Sequence, residues 1–329
     1  PQCNECMDVP GARRYQPPMR VVSIGECMIE LSGRSGASWQ QGFAGDTLNT
    51  LWYLRALLPD EAVTDYVTAF GDDPFSAEQI AFLADNRIGI AESPTVAGKA
   101  PGLYAIALDA AGERSFTYWR SEAAARHLAD DAAALGQSLA GADLVYVSGI
   151  TLAILDADAR QRLTDALEVA RDAGAMIAFD PNYRPRLWPD EQQAQTAIEA
   201  GYRTSTIVLP TFDDEAMLFG DASPEATAGR IAAHGPETII VKCGAAAALV
   251  HHDGTPETVA PEAGIVPVDT TGAGDSFNGG WLAAHLAGRG PADATRFAHR
   301  VAGRVIGHHG ALLPMGDLDD LRRANSGAG

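Results

Sequence analysis

The chain predicts an α/β fold, a mainly parallel central sheet with helices on both faces plus a small β-sheet lid. Two observations carry that expectation. Short apolar runs, Val21–Ile24, Leu144–Val147, Ile177–Asp180, Ile207–Leu209 and Ile239–Val241, alternate with helical segments such as Ala157–Ala173. Strands buried on both faces read as unbroken apolar runs, and parallel neighbours need a crossover between them. Between Pro101 and Arg120 the alternation breaks into two strand-like runs around a short turn, Asp109-Ala110-Ala111-Gly112-Glu113. A hairpin inside a βα pattern suggests a small sheet projecting from the main body.

Taken in order, Pro1 to Arg20 is polar and Pro-rich, and Met19 stands just before the first apolar run. This leader is expected to be a loose extension, with Met19 a candidate natural start. Val21–Ile24 closes on Gly25 as a buried strand should. From Asp46, the residues Leu48, Leu51, Trp52, Leu54 and Leu58 recur at helical spacing. Val63–Phe70 reads as a second strand, and Phe75 to Ile88 as an amphipathic helix with Ile80, Leu83 and Ala84 on one face. In the hairpin, Leu103–Leu108 and Ser115–Arg120 are the strands, and alternation puts Phe116, Tyr118 and Arg120 on one face. Crossovers should be right-handed, and functional loops should gather at the strand C-termini. Asp180, Asn182, Lys242 and Gly244 stand there.

Composition narrows the function classes. A net charge of −19 argues against a nucleic-acid partner, since phosphate backbones want clustered Lys and Arg. No run reaches the ~18 apolar residues of a membrane span, and the N-terminus lacks the apolar core of a secretory signal. The cytoplasm is the expected compartment. Four cysteines are too few and scattered for a disulfide framework; Cys3 and Cys6 form a C-x2-C pair without a second pair, so no metal ligand is assigned.

The chemistry concentrates in Asp269-Thr270-Thr271-Gly272-Ala273-Gly274-Asp275-Ser276-Phe277, which opens a helical run through Trp281, Leu282 and Leu286. Glycines at 272 and 274 let the local N–H groups converge on an anion, and the helix start adds partial positive charge. Asp275 beside that cradle is placed to take a proton from an attacking hydroxyl. A lone Gly-Ala-Gly-Asp would equally suit an Asp cap after a glycine turn; the full run favours phosphoryl transfer. Next to a helix N-terminus the Asp275 carboxyl is expected to stay ionised at neutral pH.

This run resembles the C-terminal signature of the ribokinase-like family of sugar kinases. Gly25-Glu26-Cys27-Met28-Ile29-Glu30-Leu31-Ser32, Gly45-Asp46-Thr47-Leu48-Asn49-Thr50, Pro101-Gly102-Leu103-Tyr104 and Tyr118-Trp119-Arg120-Ser121-Glu122-Ala123-Ala124-Ala125 are similar to the subgroup acting on 2-keto-3-deoxygluconate. So are Ser148-Gly149-Ile150 and Asn182-Tyr183-Arg184-Pro185-Arg186-Leu187-Trp188, and the match runs from about Arg20 to about Pro314. The resemblance implies a ribokinase-like three-layer fold, one kinase domain over 21–316 with the lid inserted at about 101–120, and a tail over 317–329. It implies ATP-dependent phosphorylation of 2-keto-3-deoxygluconate to 2-keto-3-deoxy-6-phosphogluconate, with Mg2+. The alternatives are a kinase for a fructose- or ribose-like sugar, and a non-catalytic sensor of nucleotide or sugar acid.

Residue by residue, the resemblance makes Asp275 the catalytic base and a substrate contact, and gives Gly272, Ala273 and Gly274 to the nucleotide phosphates. Lys242-Cys243-Gly244 resembles the nucleotide loop, with Ala247 where a second glycine often stands. Asn182 and Arg184 fall in the nucleotide and substrate site. Gly45, Asp46 and Asn49 meet sugar hydroxyls, while Tyr104, Tyr118 and Arg120 fit an acidic sugar, Arg120 pairing with its carboxylate. Glu26 is a weaker member of that shell. Asp214, in Thr211-Phe212-Asp213-Asp214, occupies the place of a carboxylate that helps hold metal-bound water. Asp269 and Thr271 resemble the edge of a K+ site. The lid's exposed edges suit a homo-oligomer.

Overall fold

The computed structural model describes residues 18–34, 38–108 and 114–327. Most of the expected leader, the Cys3–Cys6 pair and the turn at 109–113 lie outside the described residues. The elements run β1 (Arg20–Ile24), β2 (Met28–Arg34), β3 (Trp39–Ala44), α1 (Asp46–Leu57), β4 (Val63–Val67), β5 (Phe70–Gly71) and α2 (Pro74–Asp85). Next come β6 (Thr95–Val96), β7 (Leu103–Leu108), β8 (Arg114–Trp119), α3 (Ala132–Leu139), β9 (Leu144–Ser148), α4 (Gly149–Ile154), α5 (Ala157–Asp172) and β10 (Met176–Asp180). The chain continues through α6 (Glu191–Thr204), β11 (Ile207–Val208), α7 (Phe212–Phe219), α8 (Pro224–Ala232), β12 (Thr238–Val241), β13 (Ala248–His252) and β14 (Thr255–Val259). It closes with α9 (Ala273–Leu286), α10 (Pro291–Val305) and α11 (Asp319–Ser326).

An eight-stranded sheet in the order β14-β13-β12-β11-β10-β9-β1-β4 forms the centre. From β4 to β12 every pairing is parallel, and the β12–β13 and β13–β14 pairings are antiparallel. Strand alternation divides the core between two faces. Val21, Ala178 and Ile240 point to a cluster with Leu51, Trp281 and Val301 from α1, α9 and α10. Val22, Phe179 and Val241 point to a second cluster with Leu163, Ile198 and Ile231 from α5, α6 and α8. β1 has β4 on one side and β9 on the other, so strand order switches direction there. Ligands of open α/β sheets bind at the carboxyl ends beside such a switch.

The lid is wider than the hairpin alone. β2 and β3 join β7 and β8 in a four-stranded sheet, order β3-β2-β7-β8, with a parallel β2–β7 pairing. Its inner side buries Met28, Ala44, Tyr104 and Ile106, and Trp39 and Trp119 remain 41% and 58% exposed.

Three local expectations change. The strand expected over Val63–Phe70 ends at Val67, because the Thr68 N–H turns to Ser93 Oγ at 3.1 Å and Phe70–Gly71 pairs separately with Thr95–Val96. Helix α2 starts at Pro74, with Asp73 accepting from the Phe75 and Ser76 amides. It buries Ser76, Gln79 and Leu83 and leaves Ala84 exposed. Polar contacts set that face: Gln79 Nε2 donates to the Cys27 carbonyl and Ser76 Oγ accepts from the Gly71 amide, both at 2.8 Å. The segment expected as a tail carries α11, whose Leu321 is 2% exposed in the core.

Candidate active site

The first turn of α9 is built by Gly272, its N-cap, at φ +75°. A Cβ there would stand 2.8 Å from the Ala311 carbonyl oxygen, so both the backbone angle and the space demand glycine. Asp275 lies in this turn, and α9 has no side-chain cap, which disposes of the simple capping reading. Of the amides expected in the cradle, that of Ala273 already donates to the Thr270 carbonyl at 3.2 Å.

Helix α1 meets Asp275 from the opposite side. Asn49 Nδ2 donates to Asp275 Oδ2 at 2.8 Å, and Asn49 Oδ1 accepts from the Gly45 amide at 3.3 Å. Gly45 itself lies against the Glu26 carbonyl, with no room for a Cβ. Asp275 is not the low-pKa carboxyl expected beside a helix N-terminus. Burial, then the Asp46 carboxylate, push it up to about 7, against the Asn49 hydrogen bond. Desolvation outweighs the helix dipole here because the dipole's benefit is small even within the first turn.

The ends of β10 and β12 supply the floor. Asp180 is 3% exposed and its Oδ2 accepts from Lys242 Nζ and Asn278 Nδ2, each at 2.6 Å. Asn182, at φ +36°, takes the left-handed region that Asn tolerates. Its amide donates to Asp180 Oδ1 at 3.1 Å and its Nδ2 to Asp46 Oδ2 at 2.8 Å. Gly45 is the N-cap of α1, and Asp46 is the first residue of that helix. Lys242, read from sequence as a member of a strand-end loop, is only 8% exposed. Gly244 follows at φ +57°.

Arg184 lies further out, half exposed, with Nη1 3.3 Å from Asp214 Oδ2. Burial raises the Asp214 carboxyl, and Arg184 opposes that. Asp269 accepts from the Thr271 amide at 2.9 Å and the Gly310 amide at 2.7 Å.

On the lid, Tyr104 stacks on Tyr118 with centroids 5.7 Å apart, and its hydroxyl donates to Glu30. Tyr118 stays 50% exposed. Arg120 is not a cation waiting for a sugar carboxylate: its Nη2 is paired with Glu26, which is 2% exposed. Burial raises the Glu26 carboxyl, and Arg120 opposes that. Arg120 Nε and Glu26 Oε1 remain buried without a partner. Glu26 is thus a buried partner of Arg120. Asn278 and Tyr146 were missed altogether, although Asn278 stands three residues after Asp275 and so on the same helix face.

The arrangement is a helix start that carries an elevated carboxyl in its own first turn, met by Asn49 of α1 and by the polar groups after β10 and β12, and it is suited to phosphoryl transfer on small polar substrates. The family model for pfkB family carbohydrate kinases matches residues 19–317, and the chain belongs to that family. It is 41% identical over 303 residues to a 2-dehydro-3-deoxygluconokinase of Dickeya dadantii (strain 3937), covering 90% of this chain and 97% of that one. With the protein of the same name from Escherichia coli (strain K12) it shares 38% identity over the same shares of each chain. Among solved structures, a candidate ribokinase II of Escherichia coli in complex with ATP and Mg2+ superposes with a TM-score of 0.78. That match covers 93% of this chain and 99% of that one at 21% identity, and it carries the fold.

Proposed function

We propose that this chain transfers the γ-phosphoryl group of ATP to the terminal hydroxyl of 2-keto-3-deoxygluconate, giving ADP and 2-keto-3-deoxy-6-phosphogluconate. The observation that carries the chemistry is Asp275, raised to about 7 at the first turn of α9 and held by Asn49. Identity to curated 2-dehydro-3-deoxygluconokinases over nearly the whole of their length supports the choice of substrate.

In this reading Asp275 aims the hydroxyl and receives its proton. The bond between the sugar oxygen and the γ-phosphorus forms as the bond from that phosphorus to the bridging oxygen breaks, and ADP leaves with the electron pair. A carboxylate near 7 is a better base than an ordinary Asp, yet far weaker than an alkoxide, so proton transfer comes late and positioning dominates. Gly272 and Gly274 present backbone donors to the phosphates, and Ala273, whose amide bonds the Thr270 carbonyl, holds the turn between them. Asn182 and Arg184, after β10, serve the nucleotide and substrate side, with Lys242 and Gly244 after β12 on the nucleotide side. Gly45, Asp46 and Asn49 take the sugar hydroxyls. Arg120, while keeping its pair with Glu26, is the cation that would also meet the sugar's carboxylate, with Tyr118 and Tyr104 of the lid as further donors.

Mg2+ supplies charge neutralisation on the triphosphate. Among the described residues no three His, Cys, Asp or Glu side chains group as a metal cage. The phosphates would then furnish most of its ligands, and Asp214 is the carboxylate suited to hold one of its waters.

The test is the position of the phosphate in the product. Phosphorus NMR after incubation with ATP, Mg2+ and 2-keto-3-deoxygluconate should show a phosphomonoester coupled to the terminal methylene protons. A phosphate on any other carbon, or none, overturns the reading.

A further inference from the structure

Lys242 directly follows β12 and Asp180 ends β10, and both converge under the first turn of α9. Lys242 Nζ donates to Asp180 Oδ2 at 2.6 Å and to Asn278 Oδ1 at 3.1 Å. Asn278 is fully buried and gives its Nδ2 to Asp180 Oδ2 at 2.6 Å and to the Tyr146 hydroxyl at 3.1 Å. A Cβ built on Gly274 would meet Lys242 Nζ at 3.8 Å and no other atom within 4 Å. The ammonium group therefore faces the first turn of α9 at a position that carries no side chain. A lysine reaching for nucleotide from a loop would have a free stem; this one is pinned in a buried network.

We propose that Lys242 is a positioning residue for phosphoryl transfer: held by Asp180 and Asn278 beneath α9, its ammonium supplies fixed positive charge to the Asp275 carboxylate and to the phosphoryl group passing Gly274. This rests on the kinase reading above. Around Asp275 stand Asp46, Asn49 and Tyr53 from α1, Tyr146 from β9, Asp180 from β10 and Lys242 from β12. Two carboxylates in that set oppose ionisation of Asp275, and Lys242 favours it. An incoming phosphoryl group adds further negative charge, so the buried cation matters more during transfer than at rest. Lys242 neither gives nor takes a proton in the step.

The experiment compares Lys242→Met with wild type, and Lys242→Met/Asp180→Asn with Asp180→Asn, a second pair that differs only in the lysine, leaves no unpaired buried carboxylate and keeps the test valid if the single variant fails to fold; each variant is read against its Lys242-bearing parent. The folded variant should lose kcat by on the order of tenfold to a hundredfold, the scale of removing one preorganised charge. The acid limb of its kcat–pH profile should move to higher pH, while KM for ATP changes less than about threefold, well inside a tenfold step of affinity. A raised KM for ATP with kcat and pH profile unmoved would make Lys242 an ordinary nucleotide ligand and overturn the proposal. Carbon NMR of the Asp275 carboxyl, assigned with Asp275→Asn, reads the same charge without turnover. A wild type inactive with ATP would defeat the kinase reading alone; an Asp275 titration unchanged by loss of Lys242 would defeat this proposal alone.

Discussion

Asp275 is where a single residue decides most. Asp275→Asn keeps size and hydrogen bonding and loses the proton acceptor. The expected result is a fall in kcat of roughly 10² to 10⁴, the range of general-base catalysis, with ATP affinity nearly unchanged. In the wild type, kcat should decline as pH drops below about 7, where the carboxyl takes up its proton. Stability should run the other way. The folded carboxyl sits at about 7 against an ordinary 3.8, so its favourable contribution is complete below the unfolded value and is lost as pH rises through the folded one. Thermal denaturation of Asp275→Asn against wild type should therefore show a stabilisation that grows between pH 4 and pH 7, about the interval between those two values, and then levels off. A pH-independent difference would contradict the elevated carboxyl. The identity of Asp275 was legible in the glycine run; its ionisation was not, because burial and the Asp46 and Asp180 carboxylates come from residues far apart in the chain.

At the scale of elements, the start of α9 and the root of the lid are the sensitive joints. Gly272 and Gly288 both have positive φ, +75° and +87°, yet of the two only Gly272 has a neighbour, the Ala311 backbone, within 4 Å of where a methyl group would stand. Gly288→Ala should cost about 1–2 kcal/mol for the left-handed angle alone. Gly272→Ala should cost clearly more and weaken ATP binding, and equal losses in denaturant unfolding would argue against the tight packing of this turn. Arg120→Ala leaves Glu26 buried without its cation. Breaking such a pair costs about 3–5 kcal/mol, whereas Arg296→Ala, which removes pairs that are more than half exposed, should cost about 0–1 kcal/mol. Arg120→Ala should also raise KM for the sugar acid and leave KM for ATP alone. Periodicity was enough to place α1, β7 and β10, since their apolar runs face a core. It misplaced the buried face of α2, where Gln79 and Ser76 are held by backbone groups of Cys27 and Gly71, contacts that no local pattern encodes. The recruitment of β2 and β3 into the lid is likewise a matter of long-range pairing.

For the molecule as a whole, a chain of net charge −19 has to gather two anions at one place. The fold sets Arg120 on Glu26 just after β1 and Lys242 on Asp180 beneath the start of α9, with Arg184 further out against Asp214. The ends of β1, β10 and β12 could each be read from the alternation of runs. Their mutual distances, and the carboxylates that already occupy Arg120 and Lys242, needed the three-dimensional structure. No helix among the described residues is long and apolar enough to cross a membrane, in keeping with the apolar runs that form the sheet instead. Substrate choice is the most direct test of the kinase reading. A coupled ADP-release assay with Mg2+ should give kcat/KM for 2-keto-3-deoxygluconate at least about a hundredfold above fructose and ribose, the discrimination expected when a site built to bind a substrate carboxylate meets a sugar without one. Equal or better turnover of a neutral sugar, or no sugar-dependent ADP release at all, would contradict it.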